Sequence, residues 1–212
     1  MICTSIAEPT LEQCLAALEG VSFAEIRLDR MSVDENGVRQ IFSGRRGLIA
    51  TCRPGGMPDE ARQALLLAAI ASGASYVDIE VEAGEDYRRP IIASAKKAGC
   101  RIIVSYHHFG KTPSRSELEA VVERCFAGGA DVAKIACRVE SDRDNSRLLG
   151  LLDDARSLAV MGLGRKGAIT RVMASLLGAA FVYASQGEGR ETAEGQIDHD
   201  RLASLLRMME EI

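Results

Sequence analysis

Several features are scarce or missing in this 212-residue chain, and each absence closes a class of function. No basic run is longer than Lys96-Lys97 or Arg45-Arg46, and 26 basic against 30 acidic residues leave a formal net charge of -4. A nucleic-acid binder needs a basic stripe, so nucleic acid is not an expected partner. The longest strongly apolar stretch, residues 64–71, falls well short of the roughly 20 residues that cross a bilayer, and no membrane partner is expected. The opening MICTSIAEPT has no basic region and soon meets Glu8 and Pro9, which argues against a signal peptide. Six cysteines (Cys3, Cys14, Cys52, Cys100, Cys125 and Cys137) form no CxxC pair and no zinc-like spacing. They are expected to be buried, reduced thiols of a cytoplasmic protein, with no metal. Neither a linker nor low-complexity sequence interrupts the chain, so residues 1–212 are expected to form one domain.

What is present is a regular alternation of short β-type runs and helical stretches. The strands are expected at 1–6, 23–28, 48–53, 76–81, 101–107, 132–137, 158–161 and 181–184. The intervening stretches, such as DEARQALLLAAIASGA, carry apolar residues at helical spacing and stop at glycine-containing turns. In SRSELEAVVERCFAGGA, Ser114 or Ser116 is a candidate N-cap and Gly128-Gly129 the stop. Strict alternation points to a parallel sheet covered by helices. Eight units favour closure into a compact (β/α)8 TIM barrel, with an open doubly wound sheet as the competing architecture.

Residues two apart share a strand face, and on five successive strands one face is polar. Strand two aligns Glu25, Arg27 and Asp29, strand three Thr51 and Arg53, strand four Asp78 and Glu80, and strand five Ser105 and His107. Strand six aligns Lys134 with Val132 and Ala136. Barrel interiors are ordinarily filled by branched apolar side chains, and barrel enzymes keep their chemistry at the C-terminal strand ends. Charges removed from water need partners, so a polar set placed there reads as a site. Lys134 is the candidate nucleophile, because burial and neighbouring cations favour a lysine's neutral, reactive form. His107, one strand away, is the candidate general acid and base.

The segments EIRLD, TCRP, YVDIE, SYHHFGKTP, GADVAKIA, MGLGRKGAITR and TAEGQI occur in an order and spacing that resembles the type I 3-dehydroquinate dehydratases over nearly the whole chain. The resemblance implies dehydration of 3-dehydroquinate without a cofactor. Lys134 forms a Schiff base with the ketone, and His107 removes a C2 proton and then helps the C1 hydroxyl leave. It assigns substrate contacts to Glu25, Arg27, Arg53, Arg171, Thr192 and Gln196, with Met161 and Tyr183 in the pocket wall. It also makes a homodimer a reasonable expectation. The cations suit a substrate with a carboxylate, for which Arg171 offers a bidentate partner.

Three departures from the family pattern stand out. The chain starts directly with its first strand, without an N-terminal hairpin extension. His108 follows the catalytic histidine where many members carry aspartate; adjacent residues point to opposite sides, so His107 remains the assigned base. TCRPGGMPDE lacks the glutamate that orients the histidine in longer members, and inward-facing Glu80 is the proposed substitute. The segment QGEGRETAEGQ, residues 186–196, is expected to be a mobile lid that brings Thr192 and Gln196 over the substrate. His199 is expected in the exposed first turn of the last helix behind an Asp198 cap, without a catalytic role.

Gly162-Leu163-Gly164-Arg165-Lys166-Gly167 matches the GxGxxG phosphate-binding fingerprint, with Glu188 at about the distance of a ribose contact. Only one strand and one helix follow, too little for a nucleotide-binding half. The segment is therefore expected to be a flexible loop whose helix leads to Arg171, with Lys166 attracting anions. A class I aldolase sharing Lys134 and a non-catalytic binding module are the other rival readings.

Overall fold

The computed structural model describes residues 1–211, with Glu210 represented by its backbone alone. Eight strands alternate with eight helices: β1 (Ile2–Ile6), α1 (Leu11–Ala17), β2 (Ala24–Arg27), α2 (Glu35–Phe42), β3 (Leu48–Thr51), α3 (Asp59–Ala71), β4 (Tyr76–Glu80) and α4 (Glu85–Ala98). The series continues with β5 (Arg101–His108), α5 (Arg115–Ala127), β6 (Val132–Arg138), α6 (Asp142–Gly150), β7 (Leu158–Leu163), α7 (Ile169–Leu176), β8 (Val182–Ser185) and α8 (His199–Glu210). All eight strands fall where the alternation predicts them, with β7 running two residues further than expected.

The chain divides into two compact units, one of residues 5–103 and one of residues 1–4 with 104 onward. In the first unit β2, β3 and β4 run parallel, with Glu25 beside Ile49, Arg27 beside Thr51, and Thr51 beside Asp78. Partners in register share a face, so Glu25, Arg27, Thr51 and Asp78 line one side of this sheet, as the two-residue period requires. Helix α2 shows how the local sequence sets the other layer. Asp34 caps it by accepting from Gly37 N at 2.9 Å, and Val38, Ile41 and Phe42 recur at helical spacing and are buried.

In the second unit β5, β6 and β7 are neighbours. The β6–β7 register sets Lys134 beside Ala159 and Ala136 beside Met161, which puts Met161 on the lysine's face. Val182 N donates to Met1 O at 3.1 Å where β8 begins. Val182 and Ala184 pack with Ala174 of α7 and Leu202 of α8 in a buried apolar cluster. Tyr183 and Ser185 therefore lie on the opposite face of β8. Helix α5 starts at Ser114, which forms a full capping box with Glu117, and it stops at Gly128.

The glycines of the GxGxxG segment serve backbone packing. Gly162 belongs to β7 and Gly167 to the turn before α7, and the two backbones touch: a Cβ on Gly167 would lie 2.4 Å from the Gly162 carbonyl carbon. Gly162 N donates to Thr170 Oγ1 at 2.7 Å and Lys166 Nζ to Glu140 O at 2.9 Å. The first bond closes the turn onto β7, the second ties it to the segment after β6, and glycine is required by close backbone approach. The expected position of His199 needs correcting. Asp198 does cap α8, accepting from Arg201 N at 3.0 Å, but His199 is half-buried and its Nδ1 bonds Thr4 Oγ1 of β1 at 2.9 Å. All six cysteines are buried, and none forms a disulfide among the described residues. Among the described residues no helix is long and apolar enough to cross a membrane.

Replacing Gly167 by alanine should destabilise the protein by about 1–3 kcal/mol, the usual cost of overpacking. Urea denaturation measures it, and a change near zero would mean that the contact relaxes freely.

Candidate active site

Lys134 sits in the middle of β6, whose neighbours Val132, Ala133, Ile135 and Ala136 are all buried, and is itself only 4% exposed. Its Nζ lies 4.0 Å from the centre of the Tyr183 ring on β8. An ammonium and a free amine can both rest on this face, the first through cation–π attraction. The ring thus fixes where the amine stands whichever form it takes. Tyr183 is in turn held edge-on by Phe181, at 5.5 Å between ring centres. Met161 follows on the Lys134 face one step nearer the C-terminal strand ends, a second apolar wall beside the amine.

His107 lies at the C-terminal end of β5, the strand adjoining β6, and its ring stacks on Phe109 at 6.0 Å. Phe109 is 76% exposed, so it shelters the imidazole from the solvent side. His108 plays a different part. Its Nδ1 accepts from Gly110 N at 3.3 Å and Lys111 N at 3.1 Å, which closes the turn after β5. An aspartate oxygen could make the same bonds, so the substitution keeps the acceptor and changes only its chemistry. Two residues further along, Thr112 Oγ1 donates to Arg138 O at 2.6 Å and ties this loop to the end of β6.

Arg171, on α7, is 1% exposed. Its Nε donates to Gly195 O at 3.0 Å and its Nη1 to Tyr183 O at 3.1 Å, while Nη2 has no partner among the described residues. Among the described residues no carboxylate pairs with the group, and burial pulls its pKa down to about 10. A buried guanidinium with one idle nitrogen is an arrangement that calls for an anion from outside. Residues 192–196 reach the same place, where Gly195 O accepts from Arg171. Gln196 Oε1 accepts from Thr192 N at 2.7 Å, Thr192 Oγ1 at 3.2 Å and Ala193 N at 3.3 Å. The segment is clamped by Gly164 N donating to Glu194 O at 3.0 Å and by an ion pair between Arg138 and Glu194. The structure therefore brings Thr192 and Gln196 together and fixes their base. Sequence reading missed the Arg138–Glu194 pair, because two residues 56 apart carry no shared pattern.

The expected binding residues within 5–103 form a charged network. Glu25 is buried and accepts from Ser5 Oγ at 2.9 Å and Thr51 Oγ1 at 3.1 Å. Arg27 makes a two-point pair with Asp29, at 3.0 and 2.7 Å. Arg53 bonds Glu80 at 3.0 Å and Asp78 at 2.8 Å. Burial lowers the Arg53 pKa, but Asp78, Glu80 and Glu25 outweigh it and hold the guanidinium firmly charged. Glu80, expected to orient His107, has its second oxygen on Arg62 at 2.9 Å, so both of its oxygens serve arginines. Arg62 was not foreseen. It is buried, donates twice to Cys52 O at 3.0 and 2.8 Å, and stands 4.7 Å from the centre of the Tyr87 ring. Burial pushes the Cys52 and Cys137 thiols up to about 12, which removes them as nucleophiles.

Two buried strand-end arrangements, one cationic and amine-bearing and one a carboxylate–arginine network, match the polar faces read from the chain. A family model for type I 3-dehydroquinase matches residues 2–212. The chain belongs to the type I 3-dehydroquinase family. A 3-dehydroquinate dehydratase from Methanosarcina barkeri is 32% identical over 92% of this chain and 88% of its own length. The 3-dehydroquinate dehydratase of Geobacillus kaustophilus shares the fold with a TM-score of 0.85 at 26% identity, over 99% of this chain and 91% of that one. A type I 3-dehydroquinate dehydratase from Clostridium difficile superposes with a TM-score of 0.86 at 21% identity, covering 99% and 92%. The fold is accordingly the (β/α)8 barrel expected from the eightfold alternation.

Arg171→Lys keeps the charge and loses the forked donors. It should weaken binding of a carboxylate-bearing ligand about 100-fold, the loss of a charge-assisted hydrogen bond and its geometry. Isothermal titration reads this directly, and an unchanged Kd would remove Arg171 from the site. His108→Asn should keep the turn after β5, whereas His108→Ala should cost about 1 kcal/mol of stability, measured as a shift in the denaturation midpoint.

Proposed function

We propose that the chain dehydrates 3-dehydroquinate to 3-dehydroshikimate, in the shikimate route to aromatic amino acids, through a Schiff base on Lys134. The observation that carries this reading is the Lys134 amine, buried in an apolar strand and seated 4.0 Å from the Tyr183 ring centre. The unneutralised Arg171 guanidinium of the same unit supplies the charge that a substrate carboxylate requires. Lys134 attacks the C3 ketone and the carbinolamine loses water, leaving an iminium that acts as an electron sink. His107 takes a proton from C2, and the electron pair moves toward the iminium nitrogen. The resulting enamine expels the C1 hydroxyl, which leaves as water with the proton that His107 returns. Water then hydrolyses the iminium and frees the amine. The steps use only the substrate, these two side chains and water, with no net change of oxidation state, so the proposed route calls for no redox cofactor or metal.

Arg171, Thr192 and Gln196 are assigned to the substrate carboxylate and neighbouring hydroxyls. Glu25, Arg27 and Arg53 are assigned to substrate binding on the strength of the family resemblance. Reduced, buried thiols fit a cytoplasmic enzyme. The family resemblance also makes a homodimer our expectation, which sedimentation equilibrium reads directly.

Incubation with 3-dehydroquinate should give the ultraviolet absorbance of a conjugated enone, and borohydride should trap the substrate on Lys134, found by peptide mass mapping. Lys134→Ala should lower kcat at least about 10³-fold, since covalent machinery acts as a unit, and His107→Ala about 10²–10⁴-fold. Trapping at another residue, or full activity in Lys134→Ala, overturns the mechanism. Turnover of small aldol substrates in place of 3-dehydroquinate would favour the aldolase reading.

A further inference from the structure

The last residue of β8 carries a hydroxyl with no use inside the protein. Ser185 is fully buried, and its Oγ has no hydrogen-bond partner among the described residues. Buried hydroxyls are nearly always satisfied, and one that is not calls for a specific reason. Its direction is fixed by its neighbours. Val182 and Ala184 face the helices, in the cluster with Ala174 and Leu202. Ser185 therefore points to the same side as Tyr183, whose ring carries the Lys134 amine. Along the strand it stands one inward position beyond that ring, toward the C-terminal end where barrel enzymes bind their ligands.

A second buried and unpartnered polar atom belongs to the same strand end. Arg171 donates to Tyr183 O and Gly195 O, and its Nη2 is left idle. The carbonyl that Arg171 grips lies two residues before Ser185. A carboxylate is a single group with two acceptor oxygens, and it can satisfy a guanidinium nitrogen and a hydroxyl together. A neutral hydroxyl of the ligand could use Ser185 but would leave the arginine charge uncompensated.

We propose that Ser185 is a further substrate-binding residue, whose hydroxyl donates to the carboxylate of the cyclic hydroxy acid beside Arg171. This rests on the proposed dehydratase activity and adds a contact to it. The bond is made to a group remote from the reacting carbons and is present before and during the reaction. Its loss should therefore raise KM and leave kcat nearly unchanged.

The test is Ser185→Ala, assayed with 3-dehydroquinate and by thermal denaturation with and without 3-dehydroshikimate. KM should rise about tenfold with kcat within about threefold of the native value. The unliganded melting temperature should hold or rise, because an unsatisfied buried oxygen has been removed. The stabilisation given by 3-dehydroshikimate should shrink. Ser185→Cys, which keeps the volume but bonds weakly, should follow the alanine variant in KM. An unchanged KM in both variants overturns the assignment, and so does a fall in unliganded stability that accounts for the lost activity. Native protein without turnover refutes the dehydratase reading and takes the Ser185 contact with it. Active native protein with an indifferent Ser185→Ala refutes the contact alone.

Discussion

A cation removed from water with no counter-ion of its own is the constraint on which the amine-bearing half of this chain depends. Arg171 is held by two backbone carbonyls, Tyr183 O and Gly195 O, and by no carboxylate among the described residues. Hydrogen bonds to carbonyls orient a guanidinium but do not cancel its charge. The packing around it is correspondingly exact in one respect: β7, the turn before α7 and the 194–195 segment meet through glycine backbones that leave no space for a side chain. Gly195, whose carbonyl accepts from Arg171, is one of these closely approached glycines. Holding an unneutralised charge in this way is sensible if the missing partner arrives as a ligand.

The other half solves its electrostatics differently. Arg53 and Arg62 share Glu80, Arg53 also holds Asp78, and Arg27 is closed on Asp29. Here nearly every charge has an opposite within hydrogen-bond distance, and the network orients the strand-end groups without outside help. Positioning is the natural use of such a network, since side chains pinned by two or three partners lose little further freedom when a substrate binds. The contrast between a satisfied network and an unsatisfied cation separates groups that shape a site from groups that wait for something to fill it. Ser185 belongs with the second kind.

His108 shows how a family position can change residue and keep its task. The turn after β5 needs an acceptor for two backbone N–H groups, and imidazole Nδ1 provides it. His107, on the opposite strand face, is unaffected by the exchange. Glu80, the inward acidic residue expected to orient the histidine, bonds two arginines, Arg53 and Arg62. A side chain's direction could be inferred from strand parity, but the number of its competitors could not.

The eight strands, most helix ends, the polar strand faces and the candidacy of Lys134 and His107 could all be read from the chain. They depend on periods of two and 3.6 residues and on local capping, which are properties of neighbours in sequence. The resemblance of seven ordered segments supplied the family. Tertiary structure alone decided that Gly162 and Gly167 serve close packing and that His199 bonds Thr4. It also decided that Glu194 is held by Arg138, and that Arg171 and Ser185 are each buried with a polar atom unpartnered. These facts turn on which distant groups share a space and on whether each buried donor finds an acceptor. No local pattern records that, because satisfaction of a polar atom is settled by the whole set of neighbours that folding assembles around it.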